Sequence, residues 1–199
     1  MKRVAIVGGG LAGLAAAVRL VERGIPGSSI QLFESRRRLG GRAGSFFDAD
    51  SGEWIDHCQH VGMGCCERLL ELARRTDHAD FFRRDRTLYF LGPDGRECRF
   101  TGSRWLPPPF HLARAFAGLN YLTWRERMSI AQTLSRLERL TDDERPLLPW
   151  LVEQRQSPAA LERFWSLVIV SAASETLDHC SLAVARKIFV DGFLTTRDG

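Results

Sequence analysis

Three consecutive glycines separate an apolar tetrapeptide from an alanine-rich stretch, and this order constrains the fold more than anything else in the chain. Val4-Ala5-Ile6-Val7 has the unbroken apolar character of a strand buried on both faces. Gly8-Gly9-Gly10-Leu11-Ala12-Gly13 follows at once, and Leu11 to Arg23 reads as a helix that stops at Gly24. Pro26-Gly27 makes the turn, and Ile30 to Glu34 forms the second strand. A βαβ unit of this kind predicts an α/β protein with a doubly wound, Rossmann-like parallel sheet. Gly8, Gly10 and Gly13 satisfy G-x-G-x-x-G inside it. Gly8 permits the tight turn out of the strand, Gly10 lets a pyrophosphate approach the backbone, and Gly13 allows close packing of helix on strand. The first helical residues, Leu11, Ala12 and Gly13, present unpaired amides to the phosphates. The pattern alone is weak evidence; its position between strand and helix makes it specific.

Glu34 lies 21 residues beyond Gly13, followed by Ser35. A carboxylate at the end of the second strand accepts hydrogen bonds from an adenosine ribose and repels a 2′-phosphate, which favours FAD or NAD over NADP. The plainer reading is a surface glutamate at a strand end. Arg38-Leu39-Gly40-Gly41-Arg42-Ala43-Gly44-Ser45 follows as R-x-G-G-R-x-x-[ST]. Its paired glycines let the backbone close on a cofactor, and Arg42 brings a fixed guanidinium to a pyrophosphate. The competing reading is a glycine-rich surface turn with scattered arginines.

This second motif resembles the fingerprint of amine oxidases, phytoene desaturases and their relatives, and the resemblance implies FAD as the cofactor. It also implies that the loop through Gln59 and His60 passes the flavin. His60 is then the candidate for proton transfer, with a purely structural histidine as the alternative. Glu53-Trp54-Ile55-Asp56, Cys58-Gln59-His60 and Gly64-Cys65-Cys66 are similar to hydroxysqualene dehydroxylases, the squalene-associated desaturases. So are Gln156-Ser157-Pro158, Arg163-Phe164-Trp165 and Ala185 to Phe193. His57 stands where that family leads one to expect asparagine, and Ala173-Ser174 where it leads one to expect Leu-Asn. The resemblance implies reductive dehydroxylation of hydroxysqualene to squalene for hopanoid synthesis, in a protein about twice this long. A carotenoid desaturase of the phytoene type is the rival enzyme, and a non-catalytic prenyl-binding escort protein the rival of another class. No motif specifies the electron donor.

The reading divides the chain into an FAD-binding domain, residues 1–75, and an incomplete substrate domain of hairpin and helices, residues 76–199. Residues 35–64 are expected to be irregular loop laid against a ligand. A helix is expected from Cys66 to Arg75, and a hairpin across Pro93-Asp94-Gly95 joining Leu88–Leu91 to Glu97–Phe100. Thr123-Trp124-Arg125-Glu126 fits a capping box, with Met128, Ala131, Leu134 and Leu137 buried behind it. Ser157-Pro158 opens an apolar helix through Leu161, Phe164, Trp165 and Val168, and Ser181 caps the last one.

The net charge of +4 is dispersed among acids rather than gathered on one element, which argues against nucleic acid as a partner. The five cysteines form no C-x-x-C pair and read as reduced thiols, and the His57–Cys66 cluster matches no usual zinc spacing, so no metal is expected. A core strand begins three residues after Met1, so a cytoplasmic protein without a signal peptide is expected. No apolar run reaches the ~20 residues of a membrane span. Attachment to the inner membrane would then be peripheral, and Trp105 to Trp124 is either its anchor or a proline-broken helical segment packed in the domain.

Overall fold

In the computed structural model, residues 3–57, 62–63, 66–141 and 143–195 are described. The chain forms two compact units, residues 1–62 and 63–199. In the first, β1 (Val4–Val7) runs parallel to β2 (Ile30–Phe33), with Val4 opposite Ile30 and Val7 opposite Phe33. The crossover is α1 (Leu11–Glu22). Its end is fixed by a Schellman pair: Ile25 N–H donates to Leu20 C=O at 3.0 Å and Gly24 N–H to Val21 C=O at 2.9 Å, with Gly24 at φ +84°.

Residues 45–56, expected as loop, instead form an antiparallel hairpin of β3 (Ser45–Asp48) and β4 (Glu53–Asp56). Its apolar residues sit side by side, Phe46-Phe47 and Trp54-Ile55, so no alternation announces the strands. What stabilises it is pairing across the strands, with Phe47 meeting Trp54 edge to face at 5.9 Å. Asp48 closes the turn by accepting from Ser51 N–H at 3.0 Å.

The second unit opens with α2 (Glu67–Arg75) and the hairpin of β5 (Thr87–Leu91) and β6 (Glu97–Thr101), each within a residue of its expected bounds. Short helix α3 (Ala113–Ala117) leads to α4 (Trp124–Glu138). The capping box is present: Thr123 Oγ1 accepts from Glu126 N–H at 3.3 Å, and Glu126 Oε2 accepts from Thr123 N–H at 2.7 Å. α4 buries Ile130, Thr133, Leu134 and Leu137, whereas Met128 and Ala131 remain exposed. Leu134 and Leu137 are buried as expected, and Met128 and Ala131 face a second apolar environment instead of the core.

Behind it lie α5 (Leu147–Glu153), the continuous helical run from α6 (Pro158–Ala160) through a wide π-type turn into α7 (Leu167–Ala173), and α8 (Leu182–Arg186), which extends to Leu194. Ser157 and Ser181 cap as expected, accepting from Ala160 N–H at 3.1 Å and Val184 N–H at 3.3 Å. The core centres on Trp165, whose ring lies 4.8 Å from Phe189. Buried Gln156 satisfies its amide completely. It donates to Ser129 Oγ at 2.7 Å and Thr133 Oγ1 at 2.9 Å, and accepts from Trp165 Nε1–H at 2.8 Å.

Arg155 ends α5 in the left-handed region at φ +57°, where Gln156 N–H reaches back to Leu151 C=O at 3.1 Å. Ser174, at φ +55°, ends α7 likewise. Asparagine and glycine enter that region most readily, so a backbone need accounts for the asparagine expected at 174. Because Arg155 has a Cβ where its Schellman end favours none, Arg155→Gly is expected to raise stability by about 0.5–1 kcal/mol, net of the entropy cost of glycine. A urea midpoint shifted upward at unchanged slope would register it.

Candidate dinucleotide cradle and apolar cavity

The turn after β1 is built by contacts that side chains would prevent. Gly8, at φ +98°, extends the parallel ladder by donating its N–H to Phe33 C=O at 2.8 Å. A Cβ on Gly13 would stand 1.9 Å from Gly8 C=O, so helix and strand meet there with no room for alanine. Gly10 is the N-cap of α1 and brings no side chain to cap it. The amides of Leu11, Ala12 and Gly13 thus open the helix with no carbonyl one turn earlier to bond, at the positive end of its dipole.

Glu34 clasps this turn. Its Oε2 accepts from Gly9 N–H at 2.7 Å, while Oε1 accepts from Arg36 N–H at 2.9 Å and Ser35 Oγ–H at 3.2 Å. The amides of Arg36 and then Gly9 hold the carboxyl below the usual glutamate range, so it stays ionised. Oε2 keeps a lone pair beyond the Gly9 bond, directed away from it. The spacing points to Gly8, Gly10 and Gly13, but Gly9 is also constrained: a Cβ there would lie 2.5 Å from the end of the Leu39 side chain and 3.2 Å from Glu34.

The second motif docks on the first. Gly40 N–H donates to Gly9 C=O at 2.8 Å, Gly10 and Gly40 form a parallel bridge, and a Cβ on Gly41 would come within 3.2 Å of Gly10 Cα. Gly40 and Gly41 have φ of +103° and +62°, conformations that glycine alone adopts freely. Arg42 is exposed at the next position. Arg38 turns to the hairpin instead, donating from Nη1 to Ser45 C=O and from Nη2 to His57 Nε2, while Ser45 Oγ–H donates to Asp56 Oδ1. Arg38 thereby ties the loop to the hairpin. Gln59 and His60 lie outside the described residues, as do Cys58 and Cys65 of the cysteine–histidine cluster.

The second unit contains a cavity of about 560 Å³, lined largely by apolar residues of the helices beyond Trp105. One face of α4 lines it from end to end through Trp124, Met128, Ala131, Leu134, Ser135 and Glu138, and Phe90, Phe116, Phe164 and Phe189 close the remainder. The fifteen residues of α4 rise about 21 Å, so the cavity follows the helix along most of its length. Its walls are almost entirely carbon, with Arg127, Ser135 and Glu138 as its polar groups. Arg127 is engaged there, donating to Ala117 C=O.

Residues 6–76 match the family of NAD(P)-binding Rossmann-like domains. The chain is 32% identical to a zeta-carotene desaturase of Synechocystis over 207 aligned residues, covering 94% of this chain and 40% of that protein. It is 28% identical to the Arabidopsis thaliana zeta-carotene desaturase, over 94% of this chain and 36% of that one. A hydroxysqualene dehydroxylase of Rhodopseudomonas palustris is 37% identical over 73 residues, 37% of this chain and 17% of its own. The chain thus spans about two fifths of the length of the desaturases it matches. Among solved structures, putrescine oxidase superposes with a TM-score of 0.61 at 18% identity, over 92% of this chain and 40% of its own. A fatty acid isomerase from P. acnes does so at 0.60 and 18%, over all of this chain and 47% of its own. These structures share the fold.

Both glycine contacts can be tested by adding a single methyl group. Gly13→Ala meets backbone and is expected to cost about 3 kcal/mol or more, whereas Gly9→Ala meets the mobile end of Leu39 and should cost about 1–2 kcal/mol. Chemical denaturation of both variants would check the order. Residues 6–76 thus form an NAD(P)-binding Rossmann-like domain, and the chain is similar along nearly its whole length to zeta-carotene desaturases.

Proposed function

We propose that this chain is the cofactor-binding and part of the substrate-binding portion of an FAD-dependent oxidoreductase that acts on a polyisoprenoid. The observation that carries the cofactor is the double glycine cradle. Two motifs converge on Gly9 and Gly10: Gly40 N–H bonds Gly9 C=O, and a Cβ on Gly41 would come within 3.2 Å of Gly10 Cα, so bare backbone surrounds the helix N-terminus, as a pyrophosphate lying there requires. The amides of Leu11, Ala12 and Gly13 hold its oxygens, and Arg42 neutralises the remaining charge. The open lone pair of Glu34 takes a ribose hydroxyl, and its ionised carboxylate disfavours a 2′-phosphate. FAD bound there supplies two-electron hydride transfer in either direction. The relatives named above point to the same class of protein.

The long apolar cavity supports the substrate class. A chain of isoprene units fills a slot lined by phenylalanine, leucine and methionine, and the slot excludes water from it. Within this class we assign reductive dehydroxylation of hydroxysqualene to squalene, with His60 as the candidate acid for the departing oxygen. Local identity to hydroxysqualene dehydroxylases, 37–40% over 73 residues, favours this reading. Alignment over 94% of the chain favours the second reading, desaturation of zeta-carotene.

Product analysis of the intact protein given hydroxysqualene or zeta-carotene separates the two. Squalene from the first under reducing conditions supports dehydroxylation. A dehydrogenated carotene from the second supports desaturation, and turnover of neither overturns the substrate class. Glu34→Ala and Arg42→Ala should each weaken FAD binding roughly ten- to a hundredfold, as expected for one charge-assisted interaction apiece. Titration of the apoprotein with FAD, followed by flavin fluorescence, measures it.

A further inference from the structure

We propose that the loop carrying Trp105 and the start of α4 dock on an anionic lipid bilayer, so that the cavity of the second unit is loaded from the membrane. The inference rests on the reading of that cavity as a polyisoprenoid site. Its starting point is an uneven division of one apolar segment. Between Trp105 and Trp124, Leu119 and Leu122 are buried at 0% and 2% exposure, as core residues should be. Trp105 stands 92% exposed, Trp124 66%, Phe110 64% and Leu106 44%. Exposed aromatic rings in this number on one short segment are costly in water and suited to a membrane interface. The packed-segment expectation holds for Leu119 and Leu122, and the exposed residues are those assigned to the lipid surface.

The exposed rings stand on a defined platform. Ser103 N–H donates to His111 C=O at 2.7 Å and closes the base of the loop from Arg104 to Phe110. Phe110, Ala113, Ala117, Trp124 and Met128 line the cavity and are themselves exposed, so its mouth opens among them. A molecule that is almost insoluble in water must enter such a mouth from a lipid phase. Among the described residues no helix is long and apolar enough to cross a membrane, and the exposed rings of this segment suit attachment at the interface.

Charge selects the kind of lipid. Arg104, Arg114 and Arg125 are exposed on these same segments, and none of them has an ion-pair partner among the described residues. The neighbouring acid, Glu126, is committed to Thr123 and to Ser157 Oγ–H at 3.0 Å. The surface is therefore aromatic with a cationic border, complementary to phosphate headgroups over acyl chains.

Flotation of the intact protein with vesicles of phosphatidylcholine, with and without phosphatidylglycerol, tests this. Trp105→Ser with Leu106→Ser avoids the cavity lining, and Arg104→Gln, Arg114→Gln and Arg125→Gln alter surface charge alone. The wild type should float, more strongly on anionic vesicles. The arginine variants should each lose roughly fivefold on anionic vesicles only, and the Trp105 and Leu106 pair roughly tenfold on both. Turnover of detergent-dispersed substrate should be unchanged in all of them, which separates failure of docking from failure of the proposed chemistry. Equal flotation of folded variants would overturn the proposal. So would a wild type that ignores lipid, or one that buries this face in a dimer detected by sedimentation.

Discussion

The Gly9 amide donates to the Glu34 carboxylate across 25 residues of sequence, and the first unit is organised around that bond. It joins the turn after β1 to the end of β2, which the parallel ladder has already brought alongside. Once the turn is held, Gly9 C=O faces outward and receives Gly40 N–H, so the second glycine motif adds to the first as though extending a sheet. Replacing any one of these contacts by a longer side chain would separate the two loops. The Arg36 amide and then this same bond hold the Glu34 carboxyl below the usual glutamate range, so a structural tie also bears on the charge presented to a nucleotide.

The second unit solves a different problem. Its helices must enclose a core around Trp165 and also leave a slot unfilled. An apolar slot of this size, open at its mouth, is costly when empty, since its walls forfeit contacts. α4 resolves the conflict by using two faces, one sealed by Ile130, Thr133 and Leu137 against the core and one lining the slot, with Leu134 at their boundary. Rigidity comes from polar groups: Gln156 ties α4 to Trp165, and Ser157 joins its helix to the capping box of α4. This accounts physically for Gln156-Ser157-Pro158 and for Trp165, which the sequence otherwise presents only as points of resemblance.

Local patterns were legible where one residue type answers one backbone demand. The βαβ unit, the capping box, the Ser157 and Ser181 caps and the β5–β6 hairpin are all of that kind. The β3–β4 hairpin was not, because Phe46-Phe47 and Trp54-Ile55 are stabilised across strands rather than by alternation along them. Gly9 escaped attention because its constraint comes from Leu39 and Glu34, more than twenty residues away. The brace from Arg38 to Ser45 and His57 depends on the same unread hairpin. Which residues line the cavity was hidden for a related reason: periodicity marks Met128 and Ala131 as apolar but cannot say whether an apolar face meets core or empty space.

The central claim is that two glycine motifs converge to bind FAD, and the bound cofactor itself is its most direct test. Heat release from the intact purified protein, followed by chromatographic identification against FAD, FMN, NAD and NADP, would settle its identity and stoichiometry. The account predicts a yellow protein that releases one FAD per chain. A colourless protein that takes up no FAD on reconstitution, or one that retains NADP in its place, would contradict it.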